Sequence, residues 1–532
     1  MKIGVHSSLP PGAPDGGAPE NTPAARSEEP LRRTWSRASW LVVLLTLLAA
    51  ALVLTELQRP SYWIDEKISV DAATGDTPQQ IITNVIGVER RPPGYHLGLW
   101  IWLELTGSAE RMARLYSAWW VILLVPATFQ LARCFADERQ AVLAALLAAT
   151  APVLIAYGQI IRYYSMVAAL SALSLALFWR VVQRQRKPWI AYTGVTLLLL
   201  YSDYPAFGVV AAQNILALLW WRSKPNHPRW KWIGLQVGLA AAVLVWMPVV
   251  LAQGTRDFGA ADLSNSLAGA LLRAAYPFYA WIAGENIFPW TPWAIGSLII
   301  GGWLALRGAI ALWRRRQFSD WLIAFGLPFI VSQALLSTVA TDSPFVNAPA
   351  RSMACAALLI VLLGIGLGAL RSRWLIGAAL IGLLIPHAVS AVNYYHGTDF
   401  INSVYNTPAR EVAAAIANQA QPGDVVVTES DSLIEFYLPA VYRATHFYPE
   451  QAVEIQAYLA AHPSAAVWQA ILGRDRTRTE VPARLSEALQ QERRLCATTG
   501  FAEQDSNYRQ LKTRLIGREA YQYRVTLRKL CP

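Results

Sequence analysis

The chain has 532 residues, of which 54% are hydrophobic and 15% charged, whereas a soluble globular protein carries about 25% charged residues. Apolar runs of about 20 residues recur along it, each long enough to cross a membrane as a helix. The net charge of +11 does not indicate nucleic acid, because residues 394–532 contain 15 basic and 15 acidic residues. The excess of basic residues lies in the apolar part and its loops, where it follows the positive-inside rule. Together with the apolar runs, this excludes a soluble enzyme.

The N-terminal segment and the first apolar run set the orientation of the chain. Residues 1–36 are rich in Pro, Ala, Gly and Ser and predict a disordered tail, because such a segment buries too little apolar surface to fold. A first spanning helix is predicted over residues 40–57, and its full length argues against a cleaved signal peptide. Arg32, Arg33 and Arg37 precede it, so we expect the N-terminus in the cytoplasm and the next loop outside.

Basic residues alternate from loop to loop along the apolar part. Lys and Arg cluster after every second predicted helix, and the intervening loops contain few of them. With the basic loops inside, we count about 11 spans over residues 37–394 and place the C-terminal part outside. The sequence therefore predicts a polytopic α-helical membrane protein. The basic loops are at residues 133–139, 180–187, 222–231, 314–316 and 371–373.

The first outer loop, residues 58–110, is too long to be a plain connector. Residues 77–88 are moderately amphipathic and can lie along the interface. Residues 95–105 are apolar and carry Trp100 and Trp102, aromatics that favour the headgroup level. The loop therefore predicts two helices lying on the outer membrane face.

A second long outer loop, residues 253–289, is rich in aromatic residues. It carries Tyr276, Tyr279 and Trp281, and Trp290 follows just beyond it. Long loops of this kind often close over a site. We therefore regard it as a candidate lid.

From residue 395 onward the pattern changes to that of a small α/β domain. Thr407 and Pro408 suit the N-cap and the first position of a helix over residues 407–420, and a Pro-Gly-Asp turn leads into a β-rich run at 425–428. No Walker loop, zinc spacing or GxGxxG motif occurs in it. The later elements are predicted at residues 465–472, 482–494 (a helix) and 521–530 (a terminal strand).

The cysteines and histidines offer no visible metal site. Cys134 and Cys355 fall at or in predicted membrane helices, and no group of His, Cys and Asp has the spacing of metal ligands. Cys496 and Cys531 lie in the C-terminal part, where an oxidising compartment would permit a disulfide, but cysteine counting leaves their pairing open. We identify no cofactor, and metal dependence stays open.

An acid pair stands at the mouth of the first outer loop. Asp65 and Glu66 follow Tyr62 and Trp63, aromatics that place the pair at the interface, where a lower dielectric strengthens electrostatics. Acids in such a position are commonly just solvated loop residues. The same loop, however, presents cations on a rigid Arg-Arg-Pro-Pro turn at residues 90–93. An acid and a nearby Arg suit group transfer from a phosphate, because the acid takes a hydroxyl proton and the Arg binds the leaving phosphate.

Further candidates lie on later outer loops. Arg162 lies outside, against the positive-inside bias, so a topogenic role does not explain it. The alternative for Arg162, and for Arg351, is snorkelling of the guanidinium to lipid headgroups. Tyrosines next to Arg162 are more often interfacial belt residues than ligands. The weaker candidates for substrate contact are Tyr163, Tyr164, Asp203 and Asp342.

Three motifs resemble the GT-C membrane glycosyltransferases, in particular the family that includes protein O-mannosyltransferases and the lipid A aminoarabinose transferase. The specific one is Trp-x-Asp-Glu at residues 63–66 followed by Arg-Pro-Pro-Gly-Tyr-His at 91–96. The run YGQIIRYYS at 157–165 is similar to a second signature, which ends in Arg-x-Tyr-Ser at the head of a helix. Pro-Ala-Arg-Ser at 349–352 is a weaker third match, and the resemblance covers residues 38–395 in topology.

The resemblance implies a polyprenyl-phosphate-sugar donor that enters from the lipid. It implies that Asp65 serves as the base or as an acceptor-orienting carboxylate, with Glu66 beside it. This chain lacks the acidic residue that several members carry near the second signature, and it lacks the soluble repeats of eukaryotic protein mannosyltransferases. Both departures leave the acceptor open. Positions matching phosphate- or sugar-contacting residues are Arg91, Arg162 and Arg351, and neighbouring candidates are Arg90 and Tyr95.

The sequence therefore predicts a glycosyltransferase of a cell membrane, with a bacterial inner membrane favoured, that transfers a sugar with inversion to a hydroxyl on the outer face. The main alternative is a transporter or flippase of lipid-linked sugars, which predicts repeated halves, and no convincing internal repeat is found. A membrane-anchored binding protein would need only one or two spans. The sugar, the acceptor (protein, lipid A, cell-wall glycan or lipid-linked saccharide) and the oligomeric state stay open.

Overall fold

The computed structural model describes residues 36–89, 91–182, 188–223, 229–254, 267–315, 348–473, 480–502, 510 and 524–532. Residues 1–35, which hold nearly all of the expected tail, lie outside the described residues, as do the candidate contacts Arg90 and Asp342. The described chain is mostly helical, and its sheet belongs to the C-terminal region.

Six helical segments of the described chain are long and apolar enough to cross a membrane. A bent pair, α6 (Glu138–Thr150) and α7 (Pro152–Gly158), turns by 53° and adds a seventh span if it is counted as one. The protein is therefore multi-pass, while the expected number of about 11 spans is not reached within the described residues. The six segments are Arg37–Leu54 (α1), Glu110–Arg133 (α5), Tyr164–Val182 (α8), Tyr204–Trp221 (largely α10, Phe207–Ser223), Pro292–Arg315 (α14) and Arg373–His396 (α17).

Shorter helices complete the described membrane region. One of them, α16 (Ala356–Gly368), is buried along almost its whole length and packs against α6 and α14. A Cβ atom added at Gly366 would lie 2.1 Å from the Leu304 carbonyl oxygen, so only glycine permits this close helix contact. The other short helices are Pro188–Leu200 (α9), Arg229–Leu244 (α11), Met247–Gly254 (α12), Leu267–Ala283 (α13) and Ala348–Arg351 (α15).

The first outer loop folds into three helices. The amphipathic segment becomes α3 (Pro78–Val88) and the apolar segment becomes α4 (Gly94–Thr106), which confirms both predicted helices. The helix that the sequence reasoning missed is α2 (Ile64–Ala72), which carries the acid pair in its first turn. Acidic side chains at this end suit the positive end of the helix dipole. With nine residues, α2 is too short to show a periodic pattern of its own.

Most of the candidate lid that the structure describes is helical and is not an exposed loop. Residues 267–283 form α13, which packs against α14, α15 and α17. Tyr276, Tyr279 and Trp281 are buried, and they lie on the protein-facing side of this helix. Residues 255–266 lie outside the described chain.

The C-terminal domain contains a five-stranded sheet in the order β2-β1-β3-β5-β4, with β1 to β3 parallel and β5 antiparallel to both β3 and β4. Cys496 and Cys531 form a disulfide that joins β4 to β5, which answers the pairing question that the sequence left open. The strands are Val425–Thr428 (β1), His446–Phe447 (β2), Val467–Gly473 (β3), Arg494–Phe501 (β4) and Arg524–Cys531 (β5).

Helices cover this sheet, and the first of them begins later than predicted. Pro408, not Thr407, is the N-cap residue, because the Thr407 hydroxyl donates backwards to the Val404 carbonyl at 3.2 Å and does not cap the helix. Strand β4 was not predicted, since its burial pattern shows no alternation that a sequence pattern could reveal. The helices are Ala409–Gln419 (α18), Ala440–Arg443 (α19), Ala452–Ala461 (α20) and Glu480–Glu492 (α21).

Candidate active site in the first outer loop

Asp65 lies in the first turn of α2 and is the open member of the acid pair. Its side chain keeps 38% of its surface exposed, and the Arg162 Nη2 lies 3.7 Å from its Oδ2. That distance is an ion pair without a hydrogen bond, and no other described residue donates to this carboxylate. Desolvation by the surrounding protein raises the pKa of Asp65 above its ordinary value, while Arg162 and Arg91 oppose the rise. The carboxylate is therefore free to accept a proton.

Glu66, the next residue, is only 1% exposed and is fully engaged. Its Oε1 accepts from Arg114 Nη1 at 2.8 Å and from the Ile161 backbone N–H at 2.9 Å. Its Oε2 accepts from Arg114 Nη2 and from the Trp63 backbone N–H, each at 3.3 Å. Glu66 thus ties the start of α2 to α5 and to the turn before α8. Of the two acids predicted to be catalytic, Glu66 is the one whose oxygens are already bonded within the protein.

Further contacts tie the start of the first outer loop to the C-terminal domain. Arg114 Nη2 lies 3.1 Å from Glu110 Oε1, one turn earlier on α5. Glu110 Oε2 accepts from Arg410 of α18 at 2.9 Å and from the Tyr437 hydroxyl at 3.2 Å. Tyr437 in turn accepts from the Tyr62 backbone N–H at 2.8 Å. The C-terminal domain therefore holds the chain immediately before the acid pair.

Arg162 is buried and joins the start of α2 to the end of α3. Its Nη1 donates to Glu89 Oε1, to the Ser69 hydroxyl at 2.8 Å and to the Asp65 carbonyl at 3.2 Å. Burial would raise the pKa of Glu89, but Arg162 and His96 outweigh it and hold that pKa below its ordinary value. Glu89 therefore stays charged, and the guanidinium is held inside the protein and does not snorkel to the headgroups.

Arg91 is fixed by a partner on a different outer loop. Its Nη1 donates to Asp203 Oδ1 at 2.6 Å. The Gly94 N–H donates to the Tyr201 carbonyl at 2.7 Å, and a Cβ atom at Gly94 would lie 2.5 Å from that oxygen, so glycine is required for this approach. Burial raises the pKa of Asp203 to about 6, which Arg91 only partly offsets. The Pro-Pro-Gly turn and the Asp203 loop thus set the direction of Arg91 together.

The three arginines predicted to bind phosphate converge on Tyr163. The guanidinium carbons of Arg91 and Arg162 lie 5.1 and 5.5 Å from its ring centroid, within the range of cation–π contact. Arg351, which ends α15, donates from Nη1 to the Tyr163 hydroxyl at 2.9 Å. Within the described chain, Arg351 has no carboxylate partner. We call Asp65, Arg91, Arg162, Arg351 and Tyr163 the open cluster.

Two predicted contact residues have other surroundings. Tyr95 is fully buried, and its hydroxyl lies 2.8 Å from the Ser117 hydroxyl inside the core. Tyr164 is buried with its ring centroid 4.8 Å from that of Tyr163 and 5.3 Å from that of Tyr157. Tyr95 therefore supports the helices beneath the site, whereas Tyr164 borders the open cluster. In the described part of the chain, no three His, Cys, Asp or Glu side chains are placed to hold a metal ion.

Two comparisons with known proteins indicate which fold the chain has. The sequence model of the dolichyl-phosphate-mannose-protein mannosyltransferases matches residues 90–247. The crystal structure of apo ArnT from Cupriavidus metallidurans superposes with a TM-score of 0.52 and 14% identity, over 93% of this chain and 98% of that one. The chain has the fold of the GT-C membrane glycosyltransferases. The resemblance predicted from the first-loop motifs is thereby confirmed.

Two further GT-C structures align at lower scores. ArnT from the same organism bound to undecaprenyl phosphate gives a TM-score of 0.49 at 14% identity, again over 93% and 98% of the two chains. The archaeal oligosaccharyltransferase AglB from Archaeoglobus fulgidus, in complex with an inhibitory peptide and a dolichol-phosphate, gives 0.42 at 13% identity, over 81% of this chain and 69% of that one. No curated protein matches the chain in a sequence search.

Several buried charged residues of the described chain were missed from the sequence. Arg114 carried a readable signal, because Glu110 lies four residues before it on the same predicted helix. Glu89 directly precedes the Arg-Arg-Pro-Pro turn, but nothing in the local pattern indicates that it faces Arg162, 73 residues away. Glu285 lay in the candidate lid and gave no signal. Such pairings depend on helix packing, which spacing in sequence does not reveal.

Proposed function

We propose that the chain is an integral membrane glycosyltransferase that moves a sugar from a polyprenyl-phosphate donor to an acceptor hydroxyl, with Asp65 as the general base. One observation carries this proposal. Glu66, Glu89 and Asp203 each accept a hydrogen bond from an arginine, whereas Asp65, a member of the open cluster, accepts none from a described residue. A free acid facing bound cations suits proton removal from a hydroxyl next to a phosphate.

The proposed reaction is a single displacement at the anomeric carbon. Asp65 takes the proton of the acceptor hydroxyl as its oxygen forms a bond to that carbon. The bond between the anomeric carbon and the phosphate oxygen breaks, and its electron pair leaves with the polyprenyl phosphate. The acceptor attacks opposite the phosphate, so the configuration inverts. Cations fixed before the reaction stabilise the negative charge of the leaving group without having to reorient.

The arginines retain donors for this task. Each guanidinium has five N–H groups, and Arg91 uses Nη1 on Asp203 while its other nitrogens have no assigned partner in the described chain. Among the described residues, the Arg162 Nε is buried without a partner, and Arg351 donates from Nη1 to Tyr163 while its other nitrogens have no partner there. A phosphate oxygen close to Tyr163 would satisfy donors from all three.

The orientation of the site is part of the same proposal. The charge alternation of the loops indicates a cytoplasmic N-terminus, with the first outer loop and the C-terminal domain on the opposite face. A disulfide between Cys496 and Cys531 is consistent with an oxidising compartment for that domain. On this face nucleotide sugars are absent, so a lipid-borne sugar is the expected donor.

Transfer assays with the purified full chain test the proposal. Because ArnT is also known bound to undecaprenyl phosphate, the first donors to test are undecaprenyl phosphates carrying radiolabelled mannose, glucose or 4-amino-4-deoxyarabinose, with membrane extract as acceptor. We expect loss of label from at least one donor, with release of undecaprenyl phosphate. Movement of intact donor across proteoliposomes without cleavage would contradict the proposal and favour a flippase.

A further inference from the structure

A second buried acid, Glu285, lies outside the reaction scheme above. It follows Gly284, whose φ of +96° ends α13 and whose missing Cβ leaves room for the Ser390 hydroxyl, 2.1 Å from where that atom would be. The Glu285 carbonyl accepts from the Ile401 N–H at 2.9 Å. Asn393 donates to the Asn286 carbonyl at 2.8 Å. The backbone that presents this carboxyl is therefore firmly held.

The Glu285 side chain is only 3% exposed and has no cation as a partner within the described chain. Its Oε1 accepts from the Tyr276 hydroxyl at 2.7 Å, while Oε2 is buried without a hydrogen bond. The neighbouring Asn286 Nδ2 is also buried and unsatisfied. Buried polar atoms without partners are rare in proteins, and such atoms are candidate contacts for a ligand or a bound water.

The Tyr157 hydroxyl lies within hydrogen-bonding reach of Glu285, although the two groups do not meet full hydrogen-bond geometry and Tyr157 has no other hydrogen bond in the described chain. Burial raises the pKa of Glu285 to about 7, although Tyr157 and Tyr276 lower it. The carboxyl can therefore both accept and donate a hydrogen bond near neutral pH.

Aromatic rings join this polar group to the open cluster. The Tyr157 ring lies 5.3 Å from that of Tyr164 and 5.6 Å from that of Tyr405. The Tyr405 ring lies 5.4 Å from that of Trp63, two residues before Asp65. A row of neighbouring aromatic rings therefore extends from beside Asp65 to the surroundings of Glu285.

We propose that Glu285, Tyr157 and Asn286 form a subsite for the hydroxyl groups of the donor sugar. Carboxyl, phenol and carboxamide groups supply the mixed donors and acceptors that a ring of hydroxyls requires, and tyrosine rings provide apolar faces beside them. The phosphate would lie at Tyr163, and the sugar would extend past Tyr164 toward Glu285. This inference rests on the proposed function, because it requires a lipid-linked sugar at the open cluster.

The test separates sugar binding from lipid phosphate binding. Native mass spectrometry of the full chain in detergent compares its affinity for undecaprenyl phosphate with that for undecaprenyl-phosphate mannose, glucose and 4-amino-4-deoxyarabinose. For each sugar, the ratio of the two affinities measures how much the sugar contributes to binding. We expect Glu285→Gln to reduce the largest ratio by about tenfold, with undecaprenyl phosphate binding unchanged.

Tyr276→Phe and Tyr279→Phe form a matched pair of further variants. Both remove one buried hydroxyl from stacked neighbouring rings, but only Tyr276 donates to Glu285, while Tyr279 donates to the Ile287 carbonyl. We expect a lower sugar ratio in Tyr276→Phe and a wild-type ratio in Tyr279→Phe. Tyr276→Phe also keeps the test decisive if Glu285→Gln does not fold.

The outcomes distinguish the two proposals. If the wild type binds sugar-bearing donors in preference to undecaprenyl phosphate and neither Glu285→Gln nor Tyr276→Phe changes that ratio, the subsite is wrong while the proposed function stands. A wild type that binds polyprenyl phosphate without preference for any sugar also overturns the subsite. If the wild type binds no polyprenyl phosphate at all, the proposed function fails and the subsite fails with it.

Discussion

Two groups of charges meet at the acid pair and differ in how completely they are satisfied. On one side, Glu66, Arg114 and Glu110 form a buried chain in which the Glu66 oxygens accept four hydrogen bonds. On the other side, no described residue donates a hydrogen bond to the Asp65 carboxylate, and donors of the arginines in the open cluster have no partner in the described chain. Adjacent residues on one helical turn thus belong to different environments.

The difference indicates that the buried chain supports the structure, whereas the open cluster is available for chemistry. A carboxylate saturated by arginine and backbone N–H groups fixes the backbone but has little capacity left for a substrate. An exposed carboxylate next to fixed cations retains its basicity and its access to a ligand. The buried chain of Glu66, Arg114 and Glu110 would hold α2 so that the Asp65 carboxylate keeps its direction.

The largest expected effect is on the rate after Asp65→Asn. Asparagine keeps the size of the side chain but cannot take the hydroxyl proton, so transfer should fall by about 10²- to 10⁴-fold. The measurement is kcat for loss of label from the donor. The matched control is Asp71→Asn on the same helix, since Asp71 is exposed and pairs only with Lys67 in the described chain. Near-normal transfer by folded Asp65→Asn would exclude the base role.

Removing Arg114 should lower the stability of the protein more strongly than it lowers the rate of transfer. Arg114→Ala leaves Glu66 buried without its cation, which typically costs about 3–5 kcal/mol. Thermal unfolding in detergent is the measurement, and the exposed neighbour Arg111→Ala is the control. Adding Glu66→Gln to Arg114→Ala should restore part of the loss, because the uncompensated charge is removed. A stable Arg114→Ala protein with a hundredfold lower rate would instead place Arg114 in the chemistry.

A third expectation concerns pH. Burial raises the pKa of Asp203 to about 6, so this acid gains a proton as the pH falls through that value and Arg91 loses its countercharge. The raised pKa of Asp65 acts in the same direction, because a protonated acid cannot serve as a base. The value of kcat/KM should therefore decline on acidification from neutral pH. Asp203→Asn should remove the component near pH 6, and a wild-type profile that stays flat through pH 6 would refute the assignment to Asp203.

The smallest expected effect is at the contact with the C-terminal domain. The Arg410 side chain is 41% exposed, so its ion pair with Glu110 should contribute at most about 1 kcal/mol. Arg410→Ala and Tyr437→Phe should lower the unfolding temperature slightly and change transfer by no more than about fivefold. A hundredfold loss in Tyr437→Phe would instead mean that the domain takes part in catalysis.

Much of the fold follows from local sequence features. The apolar runs predict spanning helices, and the amphipathic and apolar segments of the first outer loop predict α3 and α4, because both signals lie within one helix. The number of spans was harder to predict, since α6 and α7 are separated by a bend and several apolar helices are short. The N-cap at Pro408 differs by one residue from the prediction because the Thr407 hydroxyl donates to the Val404 carbonyl, three residues earlier, and does not cap the helix.

The sequence by itself determined the membrane character, the acid pair and the cations of the first outer loop, because composition and short motifs express them directly. Only the tertiary structure decided which acid is open. Glu66 is occupied because Arg114, 48 residues away, and the Ile161 N–H, 95 residues away, reach it through helix packing. The same packing brings Arg91 and Arg351 from distant parts of the chain to Tyr163, which directly follows Arg162. Neighbours in sequence receive different environments because side chains on one helical turn point in different directions.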